Sequence, residues 1–164
     1  MTLRVLTVDP TKCTGCRICE LGCSFEKERV VNPARARIGI ITWFKRGYSV
    51  PIVCLHCDHP VCADVCPTNA LVRDQDTGAV VIDRNRCIGC RLCVTACPLG
   101  AIFIDPETSE VIKCDLCDGS PVCAELCPTE AILYLEPSEA NQLRMREAAQ
   151  ATVEILERSR LAQG

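Results

Sequence analysis

Short stretches of apolar and β-branched residues recur along the chain and are separated by polar turns. The first stretch runs from Val5 to Val8 and ends at Asp9-Pro10, which predicts a β-strand closed by a turn. Turn-forming residues at 74–78 and 105–108 are followed by the apolar stretches 80–82 and 111–112. Because Asp, Gly and Pro favour tight turns, these segments predict two small β-hairpins.

The last part of the chain has helical periodicity. Pro137-Ser138 predicts a helix start with Ser138 as the N-cap. One stripe of this helix carries weakly apolar side chains, namely Met145, Ala148, Ala149, Thr152, Ile155 and Leu156. Glu154 and Arg158 support the helix at i,i+4. Since such a helix needs a surface to lie against, we expect 137–164 to contact a partner subunit or a second copy, with packing on its own domain as the alternative.

Cysteines occupy the segments between the predicted strands. The sixteen cysteines form four runs of four: Cys13, Cys16, Cys19 and Cys23; Cys54, Cys57, Cys62 and Cys66; Cys87, Cys90, Cys93 and Cys97; and Cys114, Cys117, Cys123 and Cys127. In the third run, thiols at every third residue and a fourth thiol before Pro98 match the ligand spacing for a 4Fe–4S cluster. The fourth thiol of such a run ligates a second cluster in two-cluster proteins. Four complete runs therefore predict four 4Fe–4S clusters.

The residues around the runs are repeated. Three runs end in Cys-Pro and continue with a small residue and an aliphatic one, as in Cys66-Pro67-Thr68-Asn69-Ala70-Leu71. Proline breaks the preceding turn, and the small-aliphatic pair is expected to start a strand beneath the cluster. In the first run Ser24 replaces the proline, so a helix is expected to continue through 25–28. Val8-Asp9 and Ile82-Asp83 precede their runs by the same spacing, which marks an internal repeat.

Length and composition narrow the possible chemistry. A chain of 164 residues forms one or two small domains with limited capacity to bury an apolar core. Because residues 1–10 do not resemble a signal peptide, we expect the cysteines to bind metal in a reducing cytoplasm rather than to form disulfides. No apolar run approaches the roughly 20 residues of a membrane span. A net charge of −3 without a recognisable binding fold argues against nucleic-acid binding.

A zinc-binding structural adaptor is the alternative from a different class of protein. Zinc sites are usually built from two separate pairs of close thiols. A third thiol at the same short spacing, as in Cys87, Cys90 and Cys93, suits the corners of a cube better than a tetrahedron. We therefore prefer iron–sulfur clusters.

Three motifs resemble a known family. They are Cys54-Leu55-His56-Cys57-Asp58-His59-Pro60-Val61-Cys62, the whole third run, and Lys113-Cys114-Asp115-Leu116-Cys117 with Pro121-Val122-Cys123. They are similar to the four-cluster ferredoxin-like electron-transfer subunits of dimethyl sulfoxide reductase, formate dehydrogenase, formate hydrogenlyase and carbon monoxide dehydrogenase-associated proteins. The resemblance covers about residues 3–135. It implies an α+β fold of two nested bacterial-ferredoxin-like units related by a pseudo-twofold, with small β-hairpins and short helices around the clusters and a C-terminal helix.

The resemblance also implies domain boundaries and ligand sets. Residues 1–47 and 109–136 would form an outer unit with a basic and aromatic insertion at 25–53, residues 48–108 an inserted inner unit, and residues 137–164 an interaction helix. The first run would pair with the fourth and the second with the third. The four clusters would then be held by Cys13, Cys16, Cys19 and Cys127; by Cys114, Cys117, Cys123 and Cys23; by Cys54, Cys57, Cys62 and Cys97; and by Cys87, Cys90, Cys93 and Cys66.

Charged and aromatic residues beside the runs suggest supporting roles. Five cations are expected to offset cluster charge and raise reduction potentials, with solvated surface positions as the alternative: Lys12, Arg17, Arg86, Arg91 and Lys113. His56 and His59 are expected to pack and hydrogen-bond within the second run, and proton-coupled tuning is the less favoured role.

The basic segment 25–53 ends in Trp43, Phe44 and Tyr48, which favours docking to a partner, although a β-hairpin covering the clusters would use the same residues.

These features predict an electron relay without catalytic residues of its own. The stretch from Ile41 to Gly47 and the helical tail resemble the small subunit of tungsten-pterin aldehyde oxidoreductases. This resemblance implies a large tungsten- or molybdenum-pterin catalytic subunit as electron donor and a flavin subunit that reduces NAD as acceptor, in the cytoplasm. The alternative within the same class is an iron–sulfur subunit of formate dehydrogenase, hydrogenase or carbon monoxide dehydrogenase.

Overall fold

Four two-stranded antiparallel sheets and five α-helices make up residues 4–161, the part of the chain that the computed structural model describes. The strands are β1 (Val5–Val8), β2 (Gly39–Trp43), β3 (Tyr48–Ile52), β4 (Leu71–Arg73), β5 (Val80–Ile82), β6 (Ile102–Ile104), β7 (Val111–Lys113) and β8 (Ile132–Leu135). The helices are α1 (Ile18–Glu28), α2 (Val61–Asp64), α3 (Leu92–Ala96), α4 (Val122–Glu125) and α5 (Pro137–Leu161). Small strands and short helices confirm the mixed fold. The nested two-unit arrangement and its boundaries stay predictions.

The two predicted hairpins are confirmed as β4–β5 and β6–β7. Each has an aspartate at the start of its turn. The Asp74 carboxylate accepts a hydrogen bond from the Thr77 N–H at 2.8 Å, and the Asp105 carboxylate accepts one from the Thr108 N–H at 3.2 Å. Side-chain caps of this kind satisfy turn N–H groups that lack a strand partner, which explains why both hairpins begin their turn with aspartate.

Strands β1 and β8 join the two ends of the cysteine-bearing region. They are antiparallel, with Val5 opposite Leu135 and Val8 opposite Ile132. Ile132 is 1% exposed and lies in a core cluster with Leu6. Because β1 leads into the first cysteine run and β8 follows the fourth, this pairing brings these two runs side by side.

Buried side chains form two core clusters, and both contain cysteines. The first cluster includes Cys19, Cys23 and Cys123 together with Leu6, Ala36, Ile38, Ile40, Val53, Ala79, Leu116 and Ile132. The second includes Cys93 together with Leu71, Val80, Ile102 and Val111. The thiols of the first and fourth runs therefore share one apolar environment, and those of the second and third runs another.

Helix α1 continues past the first cysteine run, as predicted. Ser24, which replaces the proline of the other runs, is fully buried; its hydroxyl donates to the Leu21 carbonyl and accepts from the Asn32 N–H. The helix lies close against α4 at Gly22, where a Cβ atom would stand 2.5 Å from Leu126 Cδ1. Ser24 therefore provides a buried hydroxyl with two hydrogen bonds, and Gly22 allows α1 to lie close to α4.

The predicted insertion contains the hairpin β2–β3, and several of its cations form internal ion pairs. The pairs are Lys27 with Asp115 at 2.7 Å, Arg35 with Asp105 at 2.8 Å, and Arg37 with Glu28 at 3.1 Å. These three cations therefore brace the fold and do not contribute to a free docking surface. Lys45 and Arg46, at the tip of the hairpin, are exposed.

Helix α5 contacts the rest of the fold through its first turns. Ala140 is 5% exposed, and the helix packs near β1. The helix begins at Pro137, so the predicted N-cap role of Ser138 is wrong: Ser138 lies in the first turn, and proline suits the first helical position because its φ is fixed. Met145, on the predicted stripe, is 64% exposed. Ala148, Ala149 and Thr152 of the same stripe are exposed as well. The side chains of Ile155, Leu156 and Arg158, which complete the stripe and the predicted ion pair, lie outside the described residues.

None of the helices within residues 4–161 has both the length and the apolar character that crossing a membrane requires.

The ion pair between Arg35 and Asp105 ties the segment after α1 to the β6–β7 turn, and Asp105 is 1% exposed. Removing one partner of a buried ion pair typically costs about 3–5 kcal/mol. We expect Asp105→Asn to lower the temperature at which the anaerobic protein unfolds by several degrees. The matched control is Asp74→Asn, which changes the same turn position without an ion pair. An equal effect of both variants would show that Asp105 acts only through its turn.

Candidate functional site

All sixteen cysteines are free thiols, and they line four cavities. Cavity A is lined by Cys13, Cys16, Cys19 and Cys127, and cavity B by Cys23, Cys114, Cys117 and Cys123. Cavity C is lined by Cys54, Cys57, Cys62 and Cys97, and cavity D by Cys66, Cys87, Cys90 and Cys93. Each cavity thus takes three cysteines from one run and one from another. These groups coincide with the ligand sets that the family resemblance implies; that the thiols ligate clusters stays a prediction.

Left-handed backbone positions shape the loops that carry the first three thiols of each run. In the first and third runs, Gly15 and Gly89 have φ values of 71° and 69°, and Arg17 and Arg91 have φ values of 60° and 64°. The residue after Arg17 begins α1, and the residue after Arg91 begins α3. Such positions turn the chain sharply. The same local conformation therefore curls both loops around their cavities.

Backbone N–H groups point at several thiols. The donor–acceptor pairs are Ala70 N to Cys66 Sγ at 3.2 Å, Arg37 N to Cys23 Sγ at 3.3 Å, His56 N to Cys54 Sγ at 3.4 Å and Leu116 N to Cys114 Sγ at 3.5 Å. An N–H donor favours a negatively charged sulfur over a neutral thiol. Hydrogen bonds to sulfur are also a main determinant of cluster reduction potentials.

Burial makes several of these thiols difficult to ionise on their own. Desolvation raises the pKa of Cys19 and of Cys114 to about 12, and it raises the pKa of Cys123 as well. At Cys66 and Cys127 burial also raises the pKa, but hydrogen bonds from neighbouring donors have the larger effect. The pKa of each of these two thiols is therefore lowered. A thiolate buried as deeply as that of Cys123, which is 7% exposed, requires a compensating cation, which bound iron would supply.

Two buried nitrogen atoms within the described residues have no hydrogen-bond partner, and both belong to residues that line thiol cavities. They are Arg37 Nη1, at cavity B, and His56 Nε2, at cavity C. Buried polar groups in native proteins are almost always paired, so these donors call for acceptors in the cavities. The thiol sets and the unpaired donors together fit iron–sulfur clusters. Over residues 4–161, no three His, Cys, Asp or Glu side chains form a group that could hold a single metal ion.

Cations line each cavity, but they are only partly the predicted ones. Arg17 lines cavity A, Arg91 cavity D and Lys113 cavity C, as expected. Lys12 and Arg86 instead pair with the aspartates Asp9 and Asp83. At cavity B the lining cations are Lys27 and Arg37, which the sequence analysis did not assign to a cluster. Lys27 stands one helical turn after Cys23 on α1, a spacing that could have indicated its position. Arg37 lies beyond the helix, and no local spacing signals its position.

His56 lies at the wall of cavity C. Its Nδ1 accepts a hydrogen bond from the Val80 N–H at 2.9 Å, and Lys113 Nζ lies 3.5 Å from the same atom. Burial, reinforced by the positive charges of Lys113 and Arg73, lowers the pKa of His56 to about 3. Because Nδ1 accepts a hydrogen bond, it carries no proton, and the imidazole is the neutral form. His59 lines the same cavity but is exposed.

Shared elements and chain neighbours show which cavities are adjacent. Cys19 at cavity A and Cys23 at cavity B lie one helical turn apart on α1. Cavities B and C meet where Lys113 lines cavity C and the next residue, Cys114, lines cavity B. Cavities C and D contribute cysteines to the same core cluster. The cavities are therefore adjacent in the order A, B, C, D.

Small hairpins, thiol-lined cavities and unpaired donors at the cavity walls place the chain in the class of ferredoxin-like iron–sulfur proteins. The 4Fe–4S dicluster domain matches residues 46–136, more than half of the chain and the part that contains the second, third and fourth cysteine runs. The chain belongs to this family.

Several named proteins are similar to the chain. The aliphatic sulfonate oxidoreductase polyferredoxin-like subunit of Pyrococcus furiosus is 43% identical over 74% of this chain and 70% of the relative. The thiosulfate reductase electron transfer subunit PhsB of Salmonella typhi is 31% identical over 97% of this chain and 94% of the relative. Among solved structures, the active site complex BamBC of benzoyl coenzyme A reductase contains a chain with 22% identity and a TM-score of 0.49, over 96% of this chain and 99% of that one.

The fourth cysteine of each run tests the exchange of ligands between runs. Cys97 lies at cavity C, whose other thiols belong to the second run. We expect Cys97→Ser to perturb the same electron paramagnetic resonance signal of the reduced protein as Cys57→Ser. In the reciprocal control, Cys66→Ser should perturb the same signal as Cys90→Ser. If Cys97→Ser instead matches Cys90→Ser, each run holds its own cluster and the ligand sets are wrong.

Proposed function

We propose that the chain is an electron-transfer subunit that relays electrons through four 4Fe–4S clusters, held in cavities A to D by the four sets of cysteines. The observation that carries this proposal is the order of the cavities, because each set of four thiols neighbours the next. Bound clusters supply one-electron redox chemistry. The chain supplies the thiolates, the N–H donors and the cations that tune each centre.

The walls of the cavities support this role. They are largely apolar, as at cavity C, where Val61, Val80 and Ile102 surround the thiols. Exclusion of water lowers the local dielectric constant, so the nearby N–H groups and cations act strongly on the charge of each cluster. Such a relay needs no substrate pocket and no catalytic side chain.

The proposed partner is a large tungsten- or molybdenum-pterin catalytic subunit, with a tungsten-dependent aldehyde oxidoreductase favoured, and the proposed acceptor is a flavin subunit that reduces NAD. Relatives named as subunits of an aliphatic sulfonate oxidoreductase and of thiosulfate reductase support assembly into an oxidoreductase complex. The cytoplasmic location stays a prediction.

We place the contact with the catalytic subunit at the β2–β3 hairpin. Ile40 and Pro51, on one face of the hairpin, line cavity A. On its other face Trp43 and Tyr48 are paired and exposed, and Phe44 at the tip is 87% exposed. A subunit docked on these aromatic side chains would lie beside cavity A, at one end of the row of cavities.

Metal analysis tests the clusters themselves. Anaerobically purified protein should contain about 16 iron and 16 acid-labile sulfide per chain. Zinc without sulfide would contradict the proposal and support the structural adaptor. The protein should also become paramagnetic when it is reduced with dithionite.

Co-purification tests the partner. From anaerobic cells of the source organism, the tagged chain should co-purify with a large subunit that contains tungsten and a pterin. Phe44→Asp should reduce the recovery of that subunit at least about tenfold, since a desolvated aromatic contact is commonly worth more than 2 kcal/mol, while the iron content is unchanged. Val72→Asp, at an exposed site on β4, is the control. A nickel-containing partner would contradict the tungsten assignment and favour hydrogenase or carbon monoxide dehydrogenase.

A further inference from the structure

The ring of His56 has a defined tautomer. Its Nδ1 accepts the Val80 N–H at 2.9 Å, so Nδ1 carries no proton. The ammonium group of Lys113, 3.5 Å from Nδ1, has only donors and therefore also requires an acceptor there. A neutral imidazole carries one proton, which must then be on Nε2. His56 is thus an N–H donor whose orientation is set by the two groups on the opposite side of the ring.

Lys113 is itself held firmly in place. Its residue is 5% exposed, and its ammonium donates to the carbonyl groups of Val80 and Cys114. Among residues 4–161 it has no ion pair with a carboxylate. Rotating the His56 ring by 180° would replace Nδ1 with the Cδ2–H group, which cannot accept a hydrogen bond from Lys113 or from the Val80 N–H. The observed orientation is therefore the one that the surrounding donors allow.

The Nε2–H group of His56 has no acceptor among the described residues, although the atom is buried. A buried donor left unpaired costs roughly 1–3 kcal/mol. His56 lines cavity C together with Cys54, Cys57, Cys62 and Cys97. The acceptors that this cavity offers are sulfur atoms: those of the thiolates and those of a cluster bound between them.

The corresponding position at cavity B carries no such donor. Leu116 stands two residues after Cys114, as His56 stands two residues after Cys54, and both have a positive φ and donate their backbone N–H to the preceding cysteine sulfur. Leu116 is 2% exposed and apolar. The loop therefore folds in the same way with an apolar side chain, and the imidazole is not needed to form it.

We propose that His56 Nε2–H donates a hydrogen bond to a sulfur of the 4Fe–4S cluster in cavity C, or of its cysteine ligands, and thereby raises the reduction potential of that cluster. This inference rests on the proposed function. An added electron increases the negative charge on the sulfur atoms, and an N–H donor stabilises the reduced state more than the oxidised state. His56 acts here as a tuning residue, not as a ligand.

Two substitutions separate the donor from the rest of the ring. His56→Asn keeps an acceptor for the Val80 N–H and removes the donor at Nε2, whereas His56→Gln keeps an N–H near the position of Nε2. At the potential where the wild-type cluster is half reduced, we expect His56→Asn to lower the ratio of reduced to oxidised cluster by about tenfold, which corresponds to 59 mV for a one-electron couple. His56→Gln should restore most of this loss. The measurement is a redox titration monitored by electron paramagnetic resonance, on the signal that Cys57→Ser perturbs.

His59 provides the matched control, because it lines the same cavity but is exposed. His59→Asn should leave the potential unchanged. Because the chain has two histidines, His56 is the single histidine of the His59→Asn variant. Labelling this variant with ¹⁵N-histidine should then give a hyperfine coupling between the ring nitrogen and the reduced cluster of cavity C.

The outcomes are distinguishable. An unchanged potential in His56→Asn, or the absence of a ¹⁵N coupling in a protein that contains its iron and sulfide, would overturn the role of His56 and leave the relay intact. If the anaerobically purified wild-type protein contains no iron and no acid-labile sulfide, the proposed function itself is overturned. If His56→Asn fails to assemble its clusters, the ¹⁵N coupling decides, since it is measured with His56 in place.

Discussion

Gathering four thiols around one cavity is the requirement on which the rest of the structure depends, because thiolates in an apolar interior repel one another and lose their hydration. Burial raises the pKa of Cys19 and Cys114 to about 12, so the ionised form needs strong compensation. Iron supplies most of that compensation, and the chain adds N–H donors and cations. Each cavity has at least one lining cation, although these cations come from different parts of the chain.

The fold brings the thiols together around two small apolar cores. Short hairpins and single-turn helices alternate with cysteine-bearing loops, and the pairing of β1 with β8 holds the first and fourth runs together. Ion pairs such as Arg35 with Asp105 join segments that share no sheet. In a chain this small the bound clusters would also contribute to stability, because the cysteine ligands form part of both core clusters.

Local features were predictable from the sequence, and long-range ones were not. The turns at Asp74 and Asp105, the strand after each Cys-Pro and the helix past Ser24 depend on neighbouring residues, and the structure agrees with them. The position of Arg37 at cavity B depends on how the segment after α1 folds back, which no spacing encodes, whereas Lys27 follows Cys23 by one helical turn. The start of α5 was placed two residues late, because proline and serine both favour helix starts and only the backbone distinguishes them. His56 hydrogen-bonds within the second run through its backbone N–H, which donates to Cys54 Sγ, whereas the partner of its side chain, Val80, is on β5.

Diffraction at the iron absorption edge, from crystals of the anaerobically purified protein, tests the central claim most directly. We expect anomalous scattering from iron in four separate groups, one in each cavity, so that Cys97 borders the same group as Cys57 and Cys127 the same group as Cys16. Anomalous scattering at the zinc edge instead, or iron groups each bordered by the four cysteines of a single run, would contradict it.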